Sequence, residues 1–446
     1  MQARLSDINK NIQETVLPNG VTVVTCAVES AEKLYVELSL RAGSVYDEPG
    51  QTDTAHFLEH MIGYKLDRLY DITFDEQYIS LGADYNFLTG DTQVSYYCYA
   101  LEHKSRQYLQ DVIDGVFFPE FSAEDVEKEK GPIHNELDLK LNNPMRQERR
   151  KLLNATFPDS PYGVEPLHSH LAVEAMSVAQ LMQFHQKHYH AANTMIYAVG
   201  NVNHEEFCAS CMQDTNAIPI GEGLNMIKRV EPQPCDIITK NKSVDLCTLK
   251  VMFKVAGDND FRKQVIDQCV LSCIYQWLYL ELRNNQHLAY SVSREAYGKP
   301  NSSNYIGFGI RVKKDSVKQV YEAFFDVVEG MHRVSEKDLE AFVAVEKERS
   351  AEIFYQSLKD YAQTVVYNHF YGIEYSHEER MDIVDNLTPE KIMARFKEII
   401  QTPSIVEHYG DVPNKPMTSA ELHRRLCAQF DVRPIKEKLF RRHFKL

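Results

Sequence analysis

The chain has 446 residues, with 64 acidic against 49 basic side chains and a formal net charge of −15. That balance argues against a general nucleic-acid binder and gives basic peptides a mild attraction, screened beyond roughly 8 Å at physiological salt. The length exceeds one ordinary core and suits two or three domains; no stretch approaches the ~20 apolar residues that span a bilayer.

Met1–Val16 is polar and lacks the apolar core of a signal peptide. The nine cysteines are scattered and odd in number, which favours reduced thiols and a cytoplasmic protein over a disulfide framework. A turn at Leu17-Pro18-Asn19-Gly20 enters a β-rich run, and Leu34–Ala42 reads as another strand. Then comes His56-Phe57-Leu58-Glu59-His60. On a helix, positions i, i+3 and i+4 share a face, so His56, Glu59 and His60 converge. Zinc takes imidazole nitrogen at about 2.0–2.1 Å, and hydrolytic sites commonly combine three protein ligands with a position open to water. The glutamate is then placed to take a proton. H-x-x-E-H inverts the H-E-x-x-H zinc-protease signature and keeps its division of labour between ligands and base. Two surface histidines on an ordinary amphipathic helix are the plainer alternative. Further on, Gly82–Thr89 starts at a turn, and Gln93–Leu101 alternates as a strand does.

A third ligand has to come from elsewhere, and the best candidate is Glu136 in Glu129-Lys130-Gly131-Pro132-Ile133-His134-Asn135-Glu136. With 75 residues between His60 and Glu136, the chain resembles the pitrilysin/insulinase family of zinc peptidases. The likeness is to its short branch, which includes mitochondrial processing peptidase and bacterial homologues. In that family a further glutamate follows the H-x-x-E-H motif after some 75 residues. The resemblance implies that His56, His60 and Glu136 hold one Zn2+ per chain and that Glu59 is the base. Glu129 matches a second family acid near the metal, and its i, i+7 relation to Glu136 suits a role orienting a histidine. Gly131-Pro132 departs from the family's continuous helix and predicts a kink, or a restart with Pro132 at the first helical position. His134 stands as a rival ligand.

The same resemblance reads the opening turn as the family's first hairpin, and Gly82-Ala83-Asp84-Tyr85-Asn86 as its glycine-x-x-x-asparagine segment. There an extended substrate adds as a further strand, which implies that Asn86 binds substrate backbone. Capping a turn is the commoner employment of an asparagine. Phe87 replaces a usually small residue and is expected to narrow the neighbouring pocket. Ser160-Pro161-Tyr162-Gly163, Phe184, Tyr189, Asn193 and Val199-Gly200-Asn201 follow the order of structural family landmarks.

Gln213–Pro234, with its prolines and glycines, reads as a linker. On either side the same order recurs, the second opening being Leu246–Ala256 and its long helix Phe261–Asn284. The expected fold is therefore α+β: two similar domains, 1–220 and 221–446, each a mainly antiparallel sheet covered by helices. Cys208-Ala209-Ser210-Cys211 lies at an apparent helix start and is read as packing. Leu282–Val292 resembles the family's arginine–tyrosine pair and implies that Arg283 and Tyr290 stabilise oxyanion charge on the substrate carbonyl. Without the resemblance, Arg283 closes a helix and Tyr290 begins a strand. Two such domains make half of the family's enclosed chamber. The resemblance thus implies a peptide substrate and a homodimer, or a heterodimer with a related chain, in which the pair acts in trans. Arg424–Leu446 holds eight Lys or Arg against Asp431 and Glu437, a solvated helix or a docking tail. The activity expected is that of a zinc endopeptidase or oligopeptidase. A dedicated peptide-maturation protease and a non-catalytic assembly subunit of the same fold are the alternatives.

Overall fold

The computed structural model describes residues 11–433 except 71, 81, 227, 258–259, 300–301, 334, 339, 342, 346–356 and 374–376. The chain forms two compact units. The first comprises Met1–Arg150, Asp159–Lys228 and Gln356–Phe370; the second comprises Lys151–Pro158, Arg229–Tyr355 and Tyr371–Leu446. The last 13 residues of the basic tail, 434–446, lie outside the described residues, as do residues 1–10 of the polar start.

The first unit is built on β1 (Ile12–Val16), β2 (Thr22–Ala27), β3 (Lys33–Leu40), β4 (Asp84–Thr89), β5 (Val94–Leu101) and β6 (Thr194–Gly200), in the order β1-β2-β6-β3-β5-β4. Only β2 and β6 run parallel. β3 shows why the middle of this sheet is fixed: Leu34, Val36, Leu38 and Leu40 enter the core on one face, while Tyr35, Glu37 and Ser39 on the other are buried too. Glu37 survives there because Ser39 (2.6 Å), Gln93 (2.9 Å) and Tyr35 donate to its carboxylate, although burial still pushes its pKa up. A helix from far along the chain, Leu358–Tyr371, supplies partners to the same sheet. Lys359 pairs with Asp84 (2.6 Å), Tyr361 meets Cys26 (3.4 Å) and His369 meets Tyr197 (3.1 Å). On the core face lie α1 (Thr54–Asp67), α2 (Phe74–Ile79) and α3 (Glu102–Phe117), followed by α4 (Ala123–Leu141). α1 buries Ala55, Phe57, Leu58, Met61, Ile62 and Leu66.

The second unit repeats the pattern with β7 (Asp236–Lys240), β8 (Leu246–Val255), β9 (Ala289–Tyr297), β10 (Asn304–Lys313) and β11 (Ile405–Gly410), in the order β7-β11-β8-β10-β9. Again one pair, β7 and β11, is parallel. The repeat extends to a glycine. Gly200 ends β6 at φ 148° and Gly410 ends β11 at φ 102°. A β-carbon at either would strike a backbone carbonyl of the neighbouring strand, Lys33 at 2.8 Å or Leu246 at 2.2 Å. Two units with this sheet and helix arrangement are the expected α+β class, each sheet being mixed by its single parallel pair.

One expectation is corrected. α4 does not restart at Pro132: it is one continuous 19-residue helix with Pro132 inside it. Gly131, Pro132 and Lys128, the residue whose carbonyl loses its donor, all face solvent, where water replaces the missing bond. Gln213–Pro234, read as a linker, contains the crossing from the first unit to the second between Lys228 and Arg229, and most of it is anchored. Its first two residues end a helix, and the carbonyls of Pro219 and Ile220 accept Ala191 and Ala192 N–H at 2.8 and 2.9 Å. The Asn225 amide then binds the Arg41 carbonyl (2.6 Å) and His188 (2.8 Å), so this stretch belongs to the first unit as far as Lys228.

Candidate metal centre

α1 is held at its start by two carboxylates, one of them fully buried. Asp53 precedes it in the left-handed region at φ 66°, a conformation that costs a non-glycine residue about 1 kcal/mol and that aspartate tolerates better than most. Its side chain, 1% exposed, accepts Ser169 N–H (2.9 Å) and pairs with His168 Nδ1 (2.8 Å). Asp47 accepts Ala55 N–H at 2.9 Å, and burial pushes its pKa up to about 7. The result is a fixed helix that presents His56, Glu59 and His60 together.

α4 supplies the rest. A capping box at Ser122 and Asp125 sets its start, and its buried stripe of Val126, Glu129, Ile133 and Leu137 sets its rotation. Glu136 Oε2 then lies 3.6 Å from His56 Nε2 and 3.5 Å from His60 Nε2. Among the described residues, these three are the one group whose ligand atoms all lie within 4.8 Å of one another. The spacing fits zinc, because bonds of about 2.0–2.2 Å to a tetrahedral ion set ligand edges of roughly 3.3–3.6 Å. His60 Nδ1 is bound to Glu129 Oε1 at 2.8 Å, which fixes its ring and turns Nε2 inward. His56 Nδ1 is buried without a hydrogen-bond partner among the described residues. Lys140 holds the other oxygen of Glu136 at 2.7 Å.

Electrostatics agrees with the geometry. Burial lowers the pKa of His60, but its bonds to Glu129 and Glu136 outweigh that and push it up to about 10. The bonds from His56 and His60 hold Glu136 far below the usual carboxylate range. The site is therefore arranged to hold positive charge, which protons or a cation can supply.

Glu59 is 9% exposed and accepts a hydrogen bond from Thr89 Oγ1 at 2.9 Å. It borders an open cavity of about 490 Å³, whose wall also includes His56, His60, Glu136, Asn86 and Arg146. Asn86 lies in β4, the edge strand, paired with Tyr97 on one side and exposed. It is a strand residue here, not a turn cap. Phe87 is also part of the cavity wall, and its ring packs with Phe74, Tyr85 and Tyr96 at 5.1–6.0 Å. His134 is not in the cluster; it meets His170 and Glu174.

Arg283 and Tyr290 belong to the second unit. The Phe261–Tyr279 helix runs on into a π-helical turn, Leu280–Asn285, which carries Arg283, and β9 carries Tyr290. Between them His287 turns the chain at φ 53°, its ring bonded to the Arg283 carbonyl (3.1 Å). Both side chains are exposed, Tyr290 to 68%.

Sequence reading missed four contributors. Thr89 ends the asparagine-bearing strand, and nothing local marks it as a partner of Glu59. Lys140 was legible, since Glu at i and Lys at i+4 is a favourable helical pair. Asp53 and His168 are 115 residues apart, beyond any local pattern.

The family model described as "Insulinase (Peptidase family M16)" matches residues 22–168, and one described as "Peptidase M16 inactive domain" matches 175–344. The chain belongs to this family. An "Uncharacterized zinc protease" of Rickettsia bellii is 30% identical over 220 residues, 49% of this chain and 53% of that protein. The chain thus matches about half the length of that relative. Another of the same description, from Rickettsia felis, is 23% identical over 89% of this chain and 96% of its own. The fold resembles the first half of the periplasmic protease PqqL from Escherichia coli, with a TM-score of 0.78 at 15% identity, covering 97% of this chain and 99% of that one. Against whole PqqL the match covers 52% of that chain. This M16 chain accordingly has a two-unit M16 fold.

Proposed function

We propose that this chain is a zinc-dependent endopeptidase or oligopeptidase, and the observation that carries the reading is the meeting of His56, His60 and Glu136 beside an acid that is not a ligand. Those three residues would hold one Zn2+ per chain. When bound, the ion supplies Lewis-acid chemistry: it acidifies water and polarises a carbonyl. Glu59, oriented by Thr89, takes the proton of the attacking water and delivers it to the leaving amine. Glu129 keeps His60 turned toward the metal position. An extended peptide adds along β4, with Asn86 bonding its backbone.

Arg283 and Tyr290 are proposed to stabilise the oxyanion of a substrate held by a partner chain. Exposure of both supports this, because they are free to reach another molecule. The similarity to half of PqqL favours assembly as a homodimer or with a related chain around an enclosed peptide. Nine scattered cysteines, an odd number, favour a reducing compartment, which we take to be the cytoplasm.

The test is digestion of a mixed peptide library by the purified, zinc-loaded chain, with native mass and metal content measured on the same sample. Cleavage that stops on chelation and returns with zinc is expected. Absence of both cleavage and zinc binding would overturn the reading, whereas zinc binding with cleavage only after adding a related chain would identify a heterodimer.

A further inference from the structure

We propose that His134 and His170 form a second, weaker site for a late transition-metal ion such as Zn2+. Each comes from a helix of the first unit, α4 and the short helix His170–Glu174. Their Nδ1 atoms face each other at 2.8 Å, with the rings stacked 5.0 Å apart and 22° from parallel. The far nitrogen of each ring meets a carboxylate from the opposite helix. His134 Nε2 is 3.3 Å from Glu174, and His170 Nε2 is 3.2 Å from Asp138. Each helix thus contributes a histidine and, four residues later, an acid, and the acids cross over.

This arrangement has a direct reading in ligand chemistry. A carboxylate on the outer nitrogen fixes the orientation of a metal-binding imidazole and raises its basicity. A ring that donates through Nε2 presents a lone pair at Nδ1. Here one Nδ1–H donates to the other Nδ1 across 2.8 Å, and an ion that displaces that proton meets a lone pair from each ring. Imidazole nitrogens suit zinc, copper and nickel, and two of them on a tetrahedral ion stand about 3.3 Å apart, a small widening of the observed gap. The side chains of His134 and His170 are 26% and 43% exposed, so water can complete the shell. Two protein ligands instead of three make this site weaker than the His56–His60–Glu136 cluster.

Occupancy has a structural consequence. It ties α4, which carries Glu129 and Glu136, to a segment whose Ser169 N–H is held by Asp53 at the start of α1. An ion that binds only this folded arrangement stabilises it by linkage.

Titration of the metal-free chain with Zn2+ against a competing indicator chelator tests the proposal. About two ions per chain in two affinity classes are expected. His134→Ala/His170→Ala should lose the weaker class alone. His56→Ala/His60→Ala should keep it and still gain thermal stability from zinc, a gain absent when all four histidines are replaced. Uptake of a single ion by the wild type, or two intact classes in the His134/His170 variant, overturns the proposal. Circular dichroism of each metal-free variant checks folding; if the double variant is unfolded, His170→Gln replaces it, with the same two outcomes.

Discussion

The two units share a strand order, yet only one brings metal-binding side chains together among the described residues. In the first, the helix between β3 and β4 carries His56, Glu59 and His60. In the second, the helix between β8 and β9, Phe261–Tyr279, buries Val265, Cys269, Val270 and Ile274. Its buried acid, Asp267, is neutralised by the Arg395 guanidinium at 2.6 and 3.0 Å and also accepts Ala256 N–H at 2.8 Å. One acid is left open beside a cavity; the other is locked within the fold. The frame is therefore separable from the chemistry, and the second unit's proposed contribution has moved to the end of its helix, where Arg283 is exposed.

The sharpest test of that contrast is Glu59→Gln. It should lower peptide turnover by about 10³–10⁴-fold while zinc content stays unchanged, since it removes the proton acceptor and no ligand. Full turnover in metal-loaded protein would remove the distinction between the two helices. Arg283→Ala should cost about 10²–10³ in kcat/KM, and Tyr290→Phe less, both with intact zinc binding. Mixing Arg283→Ala with Glu59→Gln adds a check on action in trans: a heterodimer recovers one complete site, so activity should rise on subunit exchange. The locked acid behaves differently. Asp267→Ala leaves Arg395, a half-buried guanidinium, with the exposed Glu398 as its remaining carboxylate and should destabilise the protein by about 3 kcal/mol in chemical denaturation, without changing zinc affinity.

The smallest effect falls on pH dependence, where the two units are alike. His188 in the first and His408 in the second are buried, and burial holds the pKa of each down to about 4. An unfolded histidine titrates near 6.5, so the unfolded chain takes up protons first. Stability is then lost as pH falls from about 6.5 toward 4. Tyr321 Oη and His408 Nε2 share a hydrogen bond at 3.0 Å, and the glutamine amide can supply either a donor or an acceptor there. His408→Gln should flatten the acid limb by about 2 kcal/mol at pH 5, read from denaturation midpoints.

Much of the site was legible because its logic is helical. His56, Glu59 and His60 share a face by spacing alone, and Glu129 and Glu136 share another. β3, β5, β8 and β9 were legible from alternation and β-branched content. β1 was not, since Ile12–Val16 is a short, largely exposed edge with Gln and Glu inside it. The Leu358–Tyr371 helix shows where local reading stops. Its buried residues Tyr361, Val365 and Phe370 announce a packed face, but no local pattern says which sheet receives it. Pro132 misled for a related reason: whether a missing helical donor breaks a helix depends on whether water reaches the orphaned carbonyl, and burial is set by the tertiary fold.

The account rests on one ion among His56, His60 and Glu136. X-ray absorption at the zinc edge, on protein loaded with one equivalent, tests this most directly. The expected shell is two imidazole nitrogens with oxygen at about 2.0–2.2 Å, disrupted in Glu136→Ala and unchanged in His134→Ala/His170→Ala. A sulfur-rich shell, or a spectrum indifferent to Glu136→Ala, would contradict it.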